Sequence, residues 1–149
     1  MRNQYLSAIC LSKLIWCLSA LLVFQTLPLF CEPSPQYEFY GKHMLAQFYE
    51  CDQEALNNTK RLSQVMREAT FASGAHLLDS VEHTFTPSGF SMILLLSESH
   101  GSIHTYPDQG ACFVDFFTCG HHCSPPQFIE ILEKYLRPKR TEKQLIERK

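Results

Sequence analysis

The run Phe90-Ser91-Met92-Ile93-Leu94-Leu95-Leu96 restricts the fold more than any other stretch of this chain. It is short, uncharged and almost wholly apolar, which suits a strand in the middle of a sheet. Pro87-Ser88-Gly89 before it has the residues of a tight turn. The residues after it are chemically dense: Ser97-Glu98-Ser99-His100-Gly101-Ser102-Ile103-His104-Thr105-Tyr106-Pro107. A serine between a glutamate and a histidine stands at the mouth of a core strand, with a second histidine five residues on. Further along, Phe117-Thr118-Cys119-Gly120 adds a thiol.

The elements around this core strand follow from period and punctuation. Residues 38–49 read as a first strand. Asp52 is an N-cap for a helix carrying Leu56, Leu62, Val65, Met66 and Ala69 at helical spacing, closed by Gly74. Residues 77–86 read as a second strand, Phe90–Leu96 as the third and 110–117 as the fourth, with Cys112, Val114 and Phe116 on one face. Ser124-Pro125-Pro126 opens a second helix with an apolar stripe of Phe128, Ile131, Leu132, Tyr135 and Leu136. Residues 140–146 read as a last strand. The order βαβββαβ belongs to the α+β class, a two-layer α/β sandwich with an antiparallel sheet and two helices on one face. The other sheet face is then bare, and an apolar face in water calls for a partner.

Composition sets outer bounds. The net charge of −2 over 149 residues gives no basic field for nucleic acid. No charged side chain occurs from residue 14 to residue 30, and Arg2 and Lys13 precede the run. This leader reads as a signal peptide, a short membrane anchor or an over-extended gene start; the bulky residues near Phe30-Cys31 argue against signal cleavage. Glu32-Pro33-Ser34-Pro35-Gln36 is a linker, so residues 1–37 form leader and linker and 38–149 the domain. Seven cysteines, an odd count with Cys10, Cys17 and Cys31 all before residue 38, do not read as a disulfide framework. Reduced thiols fit a cytoplasmic location, with membrane association through the apolar segment left open.

Four blocks, in order, resemble the bacterial S-adenosylmethionine decarboxylase proenzymes. They are Gly41-Lys42-His43-Met44-Leu45 with Cys51-Asp52; His83-Thr84-Phe85-Thr86-Pro87-Ser88-Gly89-Phe90-Ser91; Glu98-Ser99-His100 with Ile103-His104-Thr105; and Asp115-Phe116-Phe117-Thr118-Cys119-Gly120. The resemblance covers about residues 40–140. It implies self-cleavage between Glu98 and Ser99, giving chains 1–98 and 99–149, with Ser99 converted to the pyruvoyl cofactor that forms a Schiff base with the substrate amine. His104 would act as processing base, Ser91 in support and Cys119 as proton donor. Phe85 would stack on adenine, and Asp108 would bind the ribose. The resemblance also implies sites formed where two processed protomers pair through the sheet, as a homodimer or larger assembly.

Asp108 stands where the family usually has glutamate, and Gln109 and Ala111 replace aromatics, so substrate choice is less firmly implied than self-cleavage. The alternatives are a pyruvoyl decarboxylase of ornithine or arginine, and a silent regulatory homologue, for which intact Ser99, His104 and Cys119 would be superfluous. Cys119-Gly120-His121-His122-Cys123 places four donors in five residues, too close in sequence to surround one tetrahedral ion, with no second ligand pair evident. No metal is therefore expected.

Overall fold

The computed structural model describes residues 37–149. The leader assignments fall outside these residues; among those described, no helix is long and apolar enough to cross a membrane. The elements run β1 (Tyr37–Tyr49), α1 (Gln53–Asn57), α2 (Thr59–Ala72), β2 (Leu77–Thr84), β3 (Phe90–Leu96), β4 (Ser99–Tyr106), a 3-10 turn (Pro107–Gln109), β5 (Ala111–Gly120), α3 (Pro125–Leu136) and β6 (Arg140–Arg148). The six strands form one sheet in the order β2-β3-β4-β5-β1-β6. Every neighbouring pair is antiparallel.

The α+β sandwich read from the sequence holds, with two differences of detail. The sequence reading assigned no strand to Ser99–Tyr106, which is β4. Its period of two is only partly present: Gly101, Ile103 and Thr105 are buried and His104 and Tyr106 exposed, but Ser102 is buried as well. Only Ile103 among the buried four is a large hydrophobe, so the alternation carried little signal. The first predicted helix is two helices. Asp52 caps α1 as expected, accepting the Ala55 N–H at 2.9 Å. Asn58 then stops α1 and caps α2, its side chain accepting from the Arg61 N–H at 3.1 Å. A short amide side chain that bonds its own backbone breaks a helix at such a point. Gly74, with φ of 84°, ends the segment as read.

The core lies between the helices and one sheet face. Leu62, Val65, Met66 and Ala69 of α2 and Phe128, Ile129, Leu132 and Leu136 of α3 bury against Phe48, Met92, Leu94, Ile103, Val114 and Phe116. Phe116 and Phe128 stack with ring centroids 4.3 Å apart, and both are fully buried. Phe116→Ala is expected to destabilise the domain by about 3–5 kcal/mol, read as a shift in the urea midpoint at unchanged slope. On the opposite face Val81, Ile93, Leu95, Tyr106 and Phe113 remain 64%, 48%, 54%, 47% and 45% exposed. This bare face is the one that the sequence left without cover.

Candidate active site

The turn from β3 into β4 carries Glu98 and Ser99 (the expected cleavage point), and it is pinned from both sides. The Ser97 N–H donates to the His76 carbonyl at 2.9 Å. The Glu98 carbonyl oxygen accepts the Cys119 N–H at 3.1 Å and the Cys119 thiol at 3.0 Å. Ser99 opens β4 opposite Leu96 and Thr118. Its φ of 155° lies in a range that residues with side chains rarely adopt.

The Glu98 side chain is fully buried beside this peptide. Its carboxylate accepts the His76 N–H at 2.9 Å and meets His76 Nδ1 at 2.7 Å and His122 Nε2 at 3.4 Å. Gly120 makes room for this group: a Cβ there would lie 2.9 Å from both Glu98 Cγ and Cys123 Sγ. Burial pushes the Glu98 carboxyl up, but the bonds from the His76 ring and backbone N–H outweigh it, and the net shift is downward. A depressed carboxyl contributes stability above its unfolded pKa and loses it as pH falls through the folded one. His76→Ala removes the ring and leaves the burial, so acid unfolding of the uncut chain is expected to begin at a higher pH, measured by circular dichroism.

A second polar group sits on the open sheet face next to Ser99. The Ser99 hydroxyl lies 3.1 Å from His100 Nδ1, and His100 Nε2 lies 3.9 Å from Asp115 Oδ1. His43 Nε2 is 3.5 Å from the same oxygen and is buried without a hydrogen-bond partner. The Ser102 hydroxyl bonds the other Asp115 oxygen. Strand register explains the grouping: Ser102 faces Asp115, and His100 faces Phe117 across β4 and β5.

Ser91 and His104 are also brought together, but elsewhere. They face each other across β3 and β4, with Ser91 Oγ 2.8 Å from His104 Nδ1. Phe85 is half-exposed and meets the His83 ring edge-on at 4.6 Å between centroids. Asp108 accepts from the Ser88 hydroxyl at 3.1 Å. All four belong to the far end of β4. Ser99 and His104 are five residues apart on one strand, about 16 Å at some 3.3 Å per residue. One protomer therefore unites Glu98, Ser99 and Cys119, and separately unites Ser91 and His104, but does not bring the two sets together.

A cavity of about 330 Å³ adjoins Cys119, lined also by Phe39, Tyr40, Gly41, Phe117, Arg148 and Lys149. Arg148 lies over the Phe117 ring, 4.3 Å from its centroid. Sequence reasoning missed Phe39, His76, His122 and Arg148 as site neighbours. Each comes from a segment whose approach to Glu98 or Cys119 depends on sheet order or a turn.

The S-adenosylmethionine decarboxylase family model matches residues 42–149. The chain belongs to this family. It is 44% identical over 100 residues to the S-adenosylmethionine decarboxylase proenzyme of Thermotoga maritima, covering 67% of this chain and 77% of that protein. The proenzyme of the same name from Methanococcus maripaludis is 39% identical over 102 residues, 68% of this chain and 84% of the relative. The crystal structure of the adenosylmethionine decarboxylase from Aquifex aeolicus superposes with a TM-score of 0.69 at 31% identity, over 74% of this chain and 92% of that one. The matched residues 42–149 include both ends of β4.

Proposed function

We propose that the chain is made as a proenzyme, cuts itself between Glu98 and Ser99, and then decarboxylates S-adenosylmethionine. The observation that carries this reading is the held peptide, with two donors from Cys119 on the Glu98 carbonyl oxygen at 3.1 and 3.0 Å. When a hydroxyl adds to that carbonyl the oxygen becomes negative, and donors already aimed at it stabilise the intermediate. The φ of 155° at Ser99 stores strain that breaking the peptide relieves. A pyruvoyl group at residue 99 would supply a carbonyl that condenses with the substrate amine and takes up the electrons left as CO2 departs.

Cys119 serves twice in this scheme. Before cleavage it holds the carbonyl oxygen. Afterwards its thiol, at the mouth of the cavity, returns a proton to the substrate carbon. Cys119→Ala keeps the backbone N–H, so cleavage is expected to slow about tenfold, one hydrogen bond's worth. Decarboxylation by the cut variant is expected to fall by about 10²-fold or more. Time courses of chain cleavage and of CO2 release separate the two effects.

The separation along β4 calls for a second protomer. Ser91 and His104 reach a Ser99 when two copies meet through their open faces, each presenting its far end to the other's cleavage turn. In such a two-fold arrangement the same patch serves both partners. Phe85 and Asp108 then come to the site from the same side as His104, as contacts for the base and ribose. S-adenosylmethionine is the substrate named by the relatives, and nothing in the fold favours ornithine or arginine. Purified chain offered each compound with labelled carboxyl carbon is expected to release CO2 from S-adenosylmethionine alone; release only from another amino acid would overturn the reading.

A further inference from the structure

We infer that His100, oriented by Asp115, is the general base for the first step of self-cleavage, the attack of the Ser99 hydroxyl on the Glu98 carbonyl. The inference deepens the self-cleavage reading and rests on it. His104, the histidine that sequence resemblance puts forward as base, stands five residues along β4 from Ser99 in the same chain. His100 Nδ1 is 3.1 Å from the Ser99 hydroxyl oxygen.

The tautomer follows from the surroundings. A neutral imidazole carries its proton on one nitrogen, and a facing carboxylate draws it to that side. Asp115 Oδ1 lies 3.9 Å from His100 Nε2, so the proton belongs on Nε2 and the Nδ1 lone pair faces Ser99. The contact with Asp115 is longer than a hydrogen bond, but such contacts tighten as the reaction develops charge on the ring. Asp115 is itself fixed by the Ser102 hydroxyl and faces His43 from β1. Nucleophile, base, orienting carboxylate and oxyanion donors are thus all present within one protomer, the set of roles used by hydrolases that attack acyl groups with serine.

The step balances without any added reagent. The Ser99 hydroxyl oxygen bonds to the Glu98 carbonyl carbon while its proton passes to His100 Nδ1. The carbonyl oxygen, now negative, is held by the Cys119 N–H and thiol. Collapse breaks the bond from Glu98 carbon to Ser99 nitrogen, and His100 returns the proton to that nitrogen. The product is an ester with a free amine, with no change in oxidation state. Loss of the Ser99 α-proton comes later, and that is the step left to His104.

The test uses the full chain and hydroxylamine, which cuts an ester bond and leaves an amide intact. His100→Gln is expected to slow cleavage by about 10²–10⁴-fold and to give no hydroxylamine-sensitive fragment, because it stalls before the ester. Asp115→Asn should stall at the same point. His104→Ala, in contrast, should accumulate the hydroxylamine-sensitive form. Added imidazole should restore cutting to His100→Gly, which a purely structural role would not allow. A His100→Gln chain that cuts at the natural rate, or that piles up the ester, would overturn the assignment. A natural chain that never cuts would remove the self-cleavage reading beneath it, so the two failures are distinguishable.

Discussion

Ser99→Ala is expected to yield a single chain of 17.2 kDa with no decarboxylase activity. The natural chain should yield two fragments, the second beginning at residue 99 and lacking a free amine. The effect is total because, in the proposed scheme, one side chain serves two ends. Its hydroxyl oxygen would open the Glu98–Ser99 bond and leave with Glu98, and its carbons would become part of the group on which decarboxylation depends. No neighbouring hydroxyl can substitute, since Ser97 precedes the bond and Ser102 is committed to Asp115. The fold should survive, because Ser99 is only half-buried and β4 is held to β3 and β5 by backbone pairing. Intact-mass spectrometry and a CO2 assay on the same sample decide the matter. A Ser99→Ala chain that still divides would mean that the bond is cut by another route, a contaminating protease included, and would remove the ground for a group made from Ser99.

Much of this was legible in the sequence, for identifiable reasons. Phe90–Leu96 was readable as a strand because its apolar residues are continuous. The stripe of α3 was readable because Phe128, Leu132 and Leu136 repeat at helical spacing. β4 was not, because its open face holds three histidine or tyrosine rings and a serine, which in sequence resemble a polar loop. The expected cleavage block was legible only through the four ordered blocks of the resemblance, since Glu98-Ser99-His100 alone carries almost no signal. The use of His100 was not, because a histidine beside a serine has no assignable role until β5 brings Asp115 alongside. His76 and His122 were illegible for a related reason. They meet Glu98 only because the end of α2 and the turn after β5 converge on one buried carboxylate. Local pattern fixes elements, while sheet order decides which distant side chains share a site.

That same sheet order produces the other large effect, in mixed assemblies. His104→Ala alone and Ser99→Ala alone are each expected to fail to cut. Produced together in one cell, they are expected to regain cutting, and only on the His104→Ala chain. The reason is the separation of about 16 Å between Ser99 and His104 along one strand. If each Ser99 is served by the His104 of a partner, a mixed dimer has one ruined site and one intact site. The ruined site joins the two substituted positions, lacking both the nucleophile and the base. The intact site joins the Ser99 of the His104→Ala chain to the His104 of the Ser99→Ala chain. Random pairing makes about half the dimers mixed, so about a quarter of the natural number of sites should form. Tags of different mass on the two chains identify which one is cut. Cutting absent from every mixture, with mixed dimers shown to be present by pull-down, would mean that Ser99 and His104 act within one chain after a rearrangement of β4. Cutting of the tagged His104→Ala chain would establish that the bare sheet face is where the active site is completed, and that the exposed Ile93, Leu95 and Phe113 hold two copies in register for catalysis as well as shielding apolar surface from water.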